Sequence, residues 1–153
     1  MKILGIRNAP QQLRYAITLW DGNKAVLLNS DGENLLKVPA SINTDLPKKL
    51  HWFSQELNRI LRQNEDVSCI ALKSNEYGPK RESSTSRVAA YFDGVVYLIA
   101  GQHNLPIHSK LYRQIGTKRA EVVNFAEDKV GSAKSNWNIQ MADAVAITWS
   151  CVR

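Results

Sequence analysis

Apolar residues come in short unbroken runs near the start of the chain and at helical spacing in its middle, and this change of period marks out the elements. The run Ile3-Leu4-Gly5-Ile6 stops at Asn8-Ala9-Pro10. Bounded by a proline turn, it predicts a central strand covered on both faces, with Arg7 at its C-terminal end. Positions 13–20 (LRYAITLW) mix β-branched and aromatic residues, and Asp21-Gly22 turns them into Ala25-Val26-Leu27-Leu28, so the chain opens as an antiparallel meander. Positions 34–38 read equally as an edge extension or a loop.

Between 47 and 63, Leu50, Phe53, Leu57, Ile60 and Leu61 share one helix face, with Thr44 or Asp45 available as a cap. A buried strand at 67–72 (VSCIAL) ends at Lys73, and the intervening helix implies a right-handed parallel crossover. The Ser-rich stretch 73–87 contains Gly78-Pro79 and predicts an exposed loop. It feeds a long helix over about 84–103, whose face of Val88, Phe92, Val95, Val96 and Ile99 packs on the sheet, with Gly94 allowing close backbone approach. A last strand is expected at 105–111, a helix at 118–129 capped by Thr117, then a Gly-Ser-Ala-Lys-Ser linker and a helix at 139–152. The order β-β-β-α-β-α-β-α-α predicts an α/β fold. It comprises three antiparallel strands, then α/β units, in a mixed five-stranded sheet with helices on both faces, as one domain over 1–153.

Composition narrows the picture in two places. Hydrophobic residues make up 44% and charged residues 22% of the 153 positions, which excludes a disordered or low-complexity chain. Twenty Lys and Arg against 14 Asp and Glu give +6, which favours a polyanionic partner. Cys69 and Cys151 sit in apolar contexts outside any zinc-type spacing and are expected to be reduced core residues. With no signal-peptide core and no membrane-length apolar run, a cytoplasmic chain with no membrane partner is expected.

Three patterns resemble the RuvC-type Holliday-junction resolvases of the ribonuclease-H-like superfamily. Ile3-Leu4-Gly5-Ile6 stands where these resolvases have Gly-hydrophobe-Asp-x-Gly, and Cys69-Ile70-Ala71-Leu72-Lys73 where they have an apolar strand ending in Glu. Ala142-Asp143-Ala144-Val145-Ala146 is similar to their Ala-Asp-Ala-Leu-Ala helix, and Tyr77 through Leu105-Pro106-Ile107 to their loop, long helix and last strand.

The resemblance implies about four carboxylates holding two Mg²⁺ ions that drive phosphodiester hydrolysis. Here the first acid position is Arg7, the second is Lys73, and the residue one turn before Asp143 is Gln140, so only Asp143 remains. Like charges about 4 Å apart repel by roughly 4 kcal/mol at an effective dielectric near 20, and a divalent ion doubles this. No cofactor is therefore expected, and Arg7 or Lys73 is expected to pair with Asp143 in place of the metals. On its own, Asp143 also reads as an acid favoured near a helix start.

The segment from Lys73 to Arg119 carries Lys80, Arg81, Arg87, Lys110, Arg113, Lys118 and Arg119 as candidate nucleic-acid contacts. Tyr77 and Tyr112 lie among them as candidate base-stacking or anchoring residues. His51, His103 and His108 share no ligand spacing. Ser83-Ser84-Thr85-Ser86 has no histidine partner for nucleophilic work.

The leading expectation is a catalytically degenerate RuvC-like domain that binds nucleic acid (branched or duplex DNA, or RNA) or a protein partner. One alternative is a Mg²⁺-dependent nuclease with relocated ligands, Asp143 with Glu76 or Asp93. A second is an interaction scaffold or homodimer that uses Trp52 and the N-terminal hairpin.

Overall fold

A computed structural model describes residues 1–76 and 84–152. The stretch 77–83, which holds Tyr77, Lys80, Arg81 and Ser83, lies outside the described residues.

Strand β1 (Lys2–Ala9) is the middle of the sheet, because Ile3, Leu4 and Ile6 are at most 1% exposed and leave no face for water. It pairs antiparallel with β2 (Gln12–Trp20) and parallel with β5 (Val67–Lys73). Outside β2 lie β3 (Ala25–Leu27) and β4 (Leu35–Lys37), and outside β5 lies β6 (Ile107–Lys110), in the order β3-β2-β1-β5-β6 with β4 also on β2. The sheet therefore has six strands rather than five. The extra one is the ambiguous stretch at 34–38, three residues long and too short to show alternation.

Helices α1 (Leu46–Gln63) and α2 (Ser84–Gln102) cover one face, locked together by Phe53 and Phe92 stacked at 4.8 Å. Asp45 caps α1 by accepting from the Lys48 N–H. Trp52 does not stand clear of this layer but packs against its core. Gly94 brings nothing close, since a Cβ there would meet no atom within 4 Å.

The other face carries α5 (Ile139–Trp149), capped by the Asn138 side chain and overlaid by α4 (Val122–Lys129). Between β6 and α4 a short helix α3 (Tyr112–Ile115) ends at Gly116, whose φ of 93° reverses the chain. That turn displaces the helix expected from 118: Thr117 donates to the Lys118 carbonyl instead of capping, and α4 begins at Val122. No helix among the described residues is long and apolar enough to cross a membrane.

Under α5 the paired positions Ala16, Gly5 and Ala71 make a row of small residues across β2, β1 and β5, so the helix backbone settles directly on the sheet. A Cβ on Gly5 would lie 2.1 Å from the Ala144 carbonyl oxygen and 2.5 Å from Thr148 Cγ2. Gly5→Ala is accordingly expected to destabilise by about 3 kcal/mol, the upper end of overpacking, because helix backbone has to move. Urea denaturation checks this.

Candidate functional site

Two residues beyond the small-residue row along each strand, the same face of the sheet turns basic. Arg14 pairs with Arg7 across β2 and β1, Arg7 follows the Ile6–Leu72 pair into register with Lys73, and Lys73 pairs with Lys110 across β5 and β6. Four cations thus cross four adjacent strands where like charges are unfavourable neighbours. Each is taken up by a separate acceptor.

Arg7 Nε donates to Asp143 Oδ2 at 3.0 Å, and its Nη1 donates to the Asn8 carbonyl at 3.1 Å and to Asn75 Oδ1. Asp143 is fully buried, and its other oxygen accepts from the Tyr112 hydroxyl at 2.6 Å. Lys73, 1% exposed, donates to Glu76 Oε2 and the Ser74 carbonyl, both at 2.7 Å, with its ammonium 3.9 Å from the centre of the Tyr112 ring. Arg14 donates to Gln140 Oε1 at 3.2 Å and the Asn136 carbonyl at 3.4 Å. Lys110 donates to the Ser150 carbonyl at 2.7 Å, just past the C-terminus of α5 where a cation is favoured.

From the opposite face Asn8 reaches Asp93 on α2 at 2.7 Å, and Asn75 reaches the same carboxylate at 3.3 Å. Glu76 and Asp93, the alternative ligands, are thus each drawn into separate hydrogen bonds. A cleft of about 210 Å³ opens beside Arg7, Asn8, Asn75 and Gln140.

The electrostatics follow from burial. Burial pushes the Asp143 carboxyl above the usual carboxylate range, with the Tyr112 hydroxyl and the charges of Arg7 and Lys73 pulling the other way. Asp93 is raised for the same first reason, opposed by the two asparagine amides. Burial lowers Lys73 against the pull of Glu76. Burial tends to raise Glu76, but Lys73 and the Tyr112 N–H outweigh it and hold it below its ordinary value.

These residues do not fit a pair of divalent cations. Two positions at the strand ends are cationic, Gln140 is already bonded to Arg14, and both oxygens of Asp143 are occupied by donors. Among the described residues no group of three or more His, Cys, Asp or Glu could hold a metal ion. What the arrangement does chemically is hold α5, α3 and the sheet together by charge-assisted hydrogen bonds. Tyr112→Phe removes one such bond to a buried carboxylate and is expected to cost about 2 kcal/mol in denaturant unfolding.

Through that bond Tyr112 anchors the segment behind it. Arg113, Lys118 and Arg119 are exposed around a groove of about 540 Å³, with Glu76 and Glu121 at its margin and Lys118 3.7 Å from Glu121. Of the other candidate contacts, Arg87 is exposed in the first turn of α2 and Lys110 is turned inward to α5. His51, His103 and His108 are all exposed and apart from this network.

Sequence reasoning missed Arg14, Asn8 and Asn75. Arg14 had a signal, since it alternates with the small residues Ala16 and Thr18 on one face of β2. The two asparagines had none.

No protein-family model matches the chain, and no curated protein sequence does. Among solved structures it is similar to RuvC of Thermus thermophilus in complex with a Holliday junction substrate, with a TM-score of 0.78 at 17% identity over 98% of this chain and 92% of that one. It is also similar to another Thermus thermophilus RuvC structure, with a TM-score of 0.76 at 17% identity over the same shares of each chain. The yeast mitochondrial Holliday junction resolvase gives 0.64 at 16% identity over 98% and 77%. The fold is that of RuvC, an α/β mixed sheet of the ribonuclease-H type with helices on both faces.

Proposed function

We propose, on the premise of that RuvC-like fold, that this chain binds nucleic acid without cleaving it. The observation that carries the reading is the Arg7–Asp143 ion pair, with Lys73 buried beside it; the resemblance to RuvC-type resolvases implies metal-holding carboxylates at the Arg7 and Lys73 positions. A cation on each strand end repels the ions on which that chemistry depends, and the one remaining acid is spent on Arg7 and Tyr112.

Binding is supported by the exposed cations of the α3–α4 groove and by the net charge of +6. Their ligand is the phosphate backbone of branched or duplex DNA, or of RNA, which such contacts grip without reading sequence. Titration with Mg²⁺ or Mn²⁺ tests the metal-free half of the reading. Calorimetry is expected to show no saturable micromolar binding, whereas micromolar binding that vanishes in Asp143→Asn would refute it.

A further inference from the structure

Helix α2 carries two glycines that the chain itself does not require. Glycine is the poorest helix former after proline, yet Gly94 and Gly101 both lie exposed within this 19-residue helix. Neither has a positive φ, so neither serves as a left-handed cap, and a Cβ on either would meet nothing within 4 Å. Large apolar side chains alternate with them, Tyr91 being 45% and Leu98 58% exposed. Positions 91, 94, 98 and 101 are spaced by three, four and three residues, which puts them on one helix face, away from the buried Phe92, Val96 and Ile99. That face reads knob, notch, knob, notch, with Tyr97, 49% exposed, along its flank.

The order is its own complement. Reversed about position 96, Tyr91 falls on Gly101 and Leu98 on Gly94, so two antiparallel copies of α2 fill every notch with a side chain of the other. We propose that the exposed face of α2 is the contact between two copies of this chain, related by a two-fold axis near position 96.

Charge selects the same arrangement. Two chains of +6 repel, so they meet most readily through a face of low charge, and the exposed positions from 91 to 102 hold no charged residue. Arg87, exposed in the first turn, comes to the last turn of the opposing helix, whose carbonyl end favours a cation. A parallel pair would set Arg87 against Arg87, Tyr91 against Tyr91 and glycine against glycine, leaving the notches empty. One helix face buries less than the roughly 800 Å² per partner of a standard stable interface, so the dimer is expected to be reversible in the micromolar range.

Of the candidate nucleic-acid contacts only Arg87 lies on α2, and association is measured on the full chain without nucleic acid, so it fails or succeeds apart from the binding role. In sedimentation, the mean mass is expected to rise from one chain toward two between about 1 μM and about 1 mM. Leu98→Glu is expected to sediment as one chain throughout and to remain folded, because its side chain is exposed in the single chain and would be a buried charge in the pair. Gly94→Gln is expected to act in two opposite directions. As a better helix former it raises the melting temperature of the single chain, yet it weakens association at least about 10-fold, because each dimer holds the filled notch twice. Chains carrying Gly94→Cys mixed with chains carrying Leu98→Cys are expected, on mild oxidation, to yield a peptide joining position 94 of one chain to position 98 of the other. The proposal is overturned if the unsubstituted chain stays single up to about 1 mM, if either Leu98→Glu or Gly94→Gln associates as tightly as the parent, or if the cross-links join like positions instead.

Discussion

Arg7→Met is expected to lower stability by about 3 kcal/mol at neutral pH, because it leaves the Asp143 carboxylate buried without its guanidinium. Burial already holds the folded Asp143 pKa above its unfolded value, and losing the Arg7 charge raises it further. With the folded value raised, the native state binds this proton more tightly than the unfolded chain. The contribution to stability is fully present below the unfolded pKa and is lost as pH rises through the folded one. The deficit of the variant should therefore be smallest below the raised folded pKa of Asp143 in the parent chain, and grow as pH rises from there toward the still higher value in the variant. Arg7→Met combined with Asp143→Asn keeps an acceptor for Tyr112 without the stranded charge, and should recover most of the loss. Denaturant titrations at several pH values check all three statements.

Reversing the charge of Arg113, Lys118 and Arg119 together (each →Glu) is expected to weaken nucleic-acid binding at least about 100-fold at low salt. The slope of log affinity against log salt should fall by about 3, close to one counterion per lost phosphate contact. Stability should change little, since all three side chains are exposed and their one close ion pair among the described residues, Lys118 with Glu121, is 78% and 61% exposed at its two ends. Unchanged binding in this variant would move the contact surface away from the α3–α4 groove. A loss of affinity with an unchanged salt slope would mean that the three side chains do not contact phosphates.

The architecture was legible wherever one residue pattern ran long enough to have a period. Ile3 to Ile6 and Cys69 to Leu72 are unbroken because both faces of β1 and β5 are covered, and α1 repeats its apolar positions over 18 residues. Pattern failed in short elements. Strand β4 has three residues and α3 four, both too brief to establish a period. Gly94 misled because glycine permits close approach without requiring it. The glycine that needs its missing side chain is Gly5, which the sequence showed only as one member of an apolar run.

Arg7 and Lys73 were readable as strand-end residues, and Gln140 and Asp143 as residues one turn apart on a helix, because the apolar runs around them mark those elements. Their partners were not, since the Arg7–Asp143 contact spans 136 residues and Asn8–Asp93 spans 85, and only folded geometry reports such distances. The row of four cations likewise emerges from strand register alone.

The most direct test of the account is to incubate the purified chain with a labelled four-way junction and with linear duplex, across a salt series, in Mg²⁺ and then in EDTA. Binding is expected to weaken steeply with salt, to be indifferent to EDTA, and to leave the substrate uncut. Cleavage that requires Mg²⁺ would contradict it, since Arg7 and Lys73 would then have to coexist with the ions they are placed to exclude.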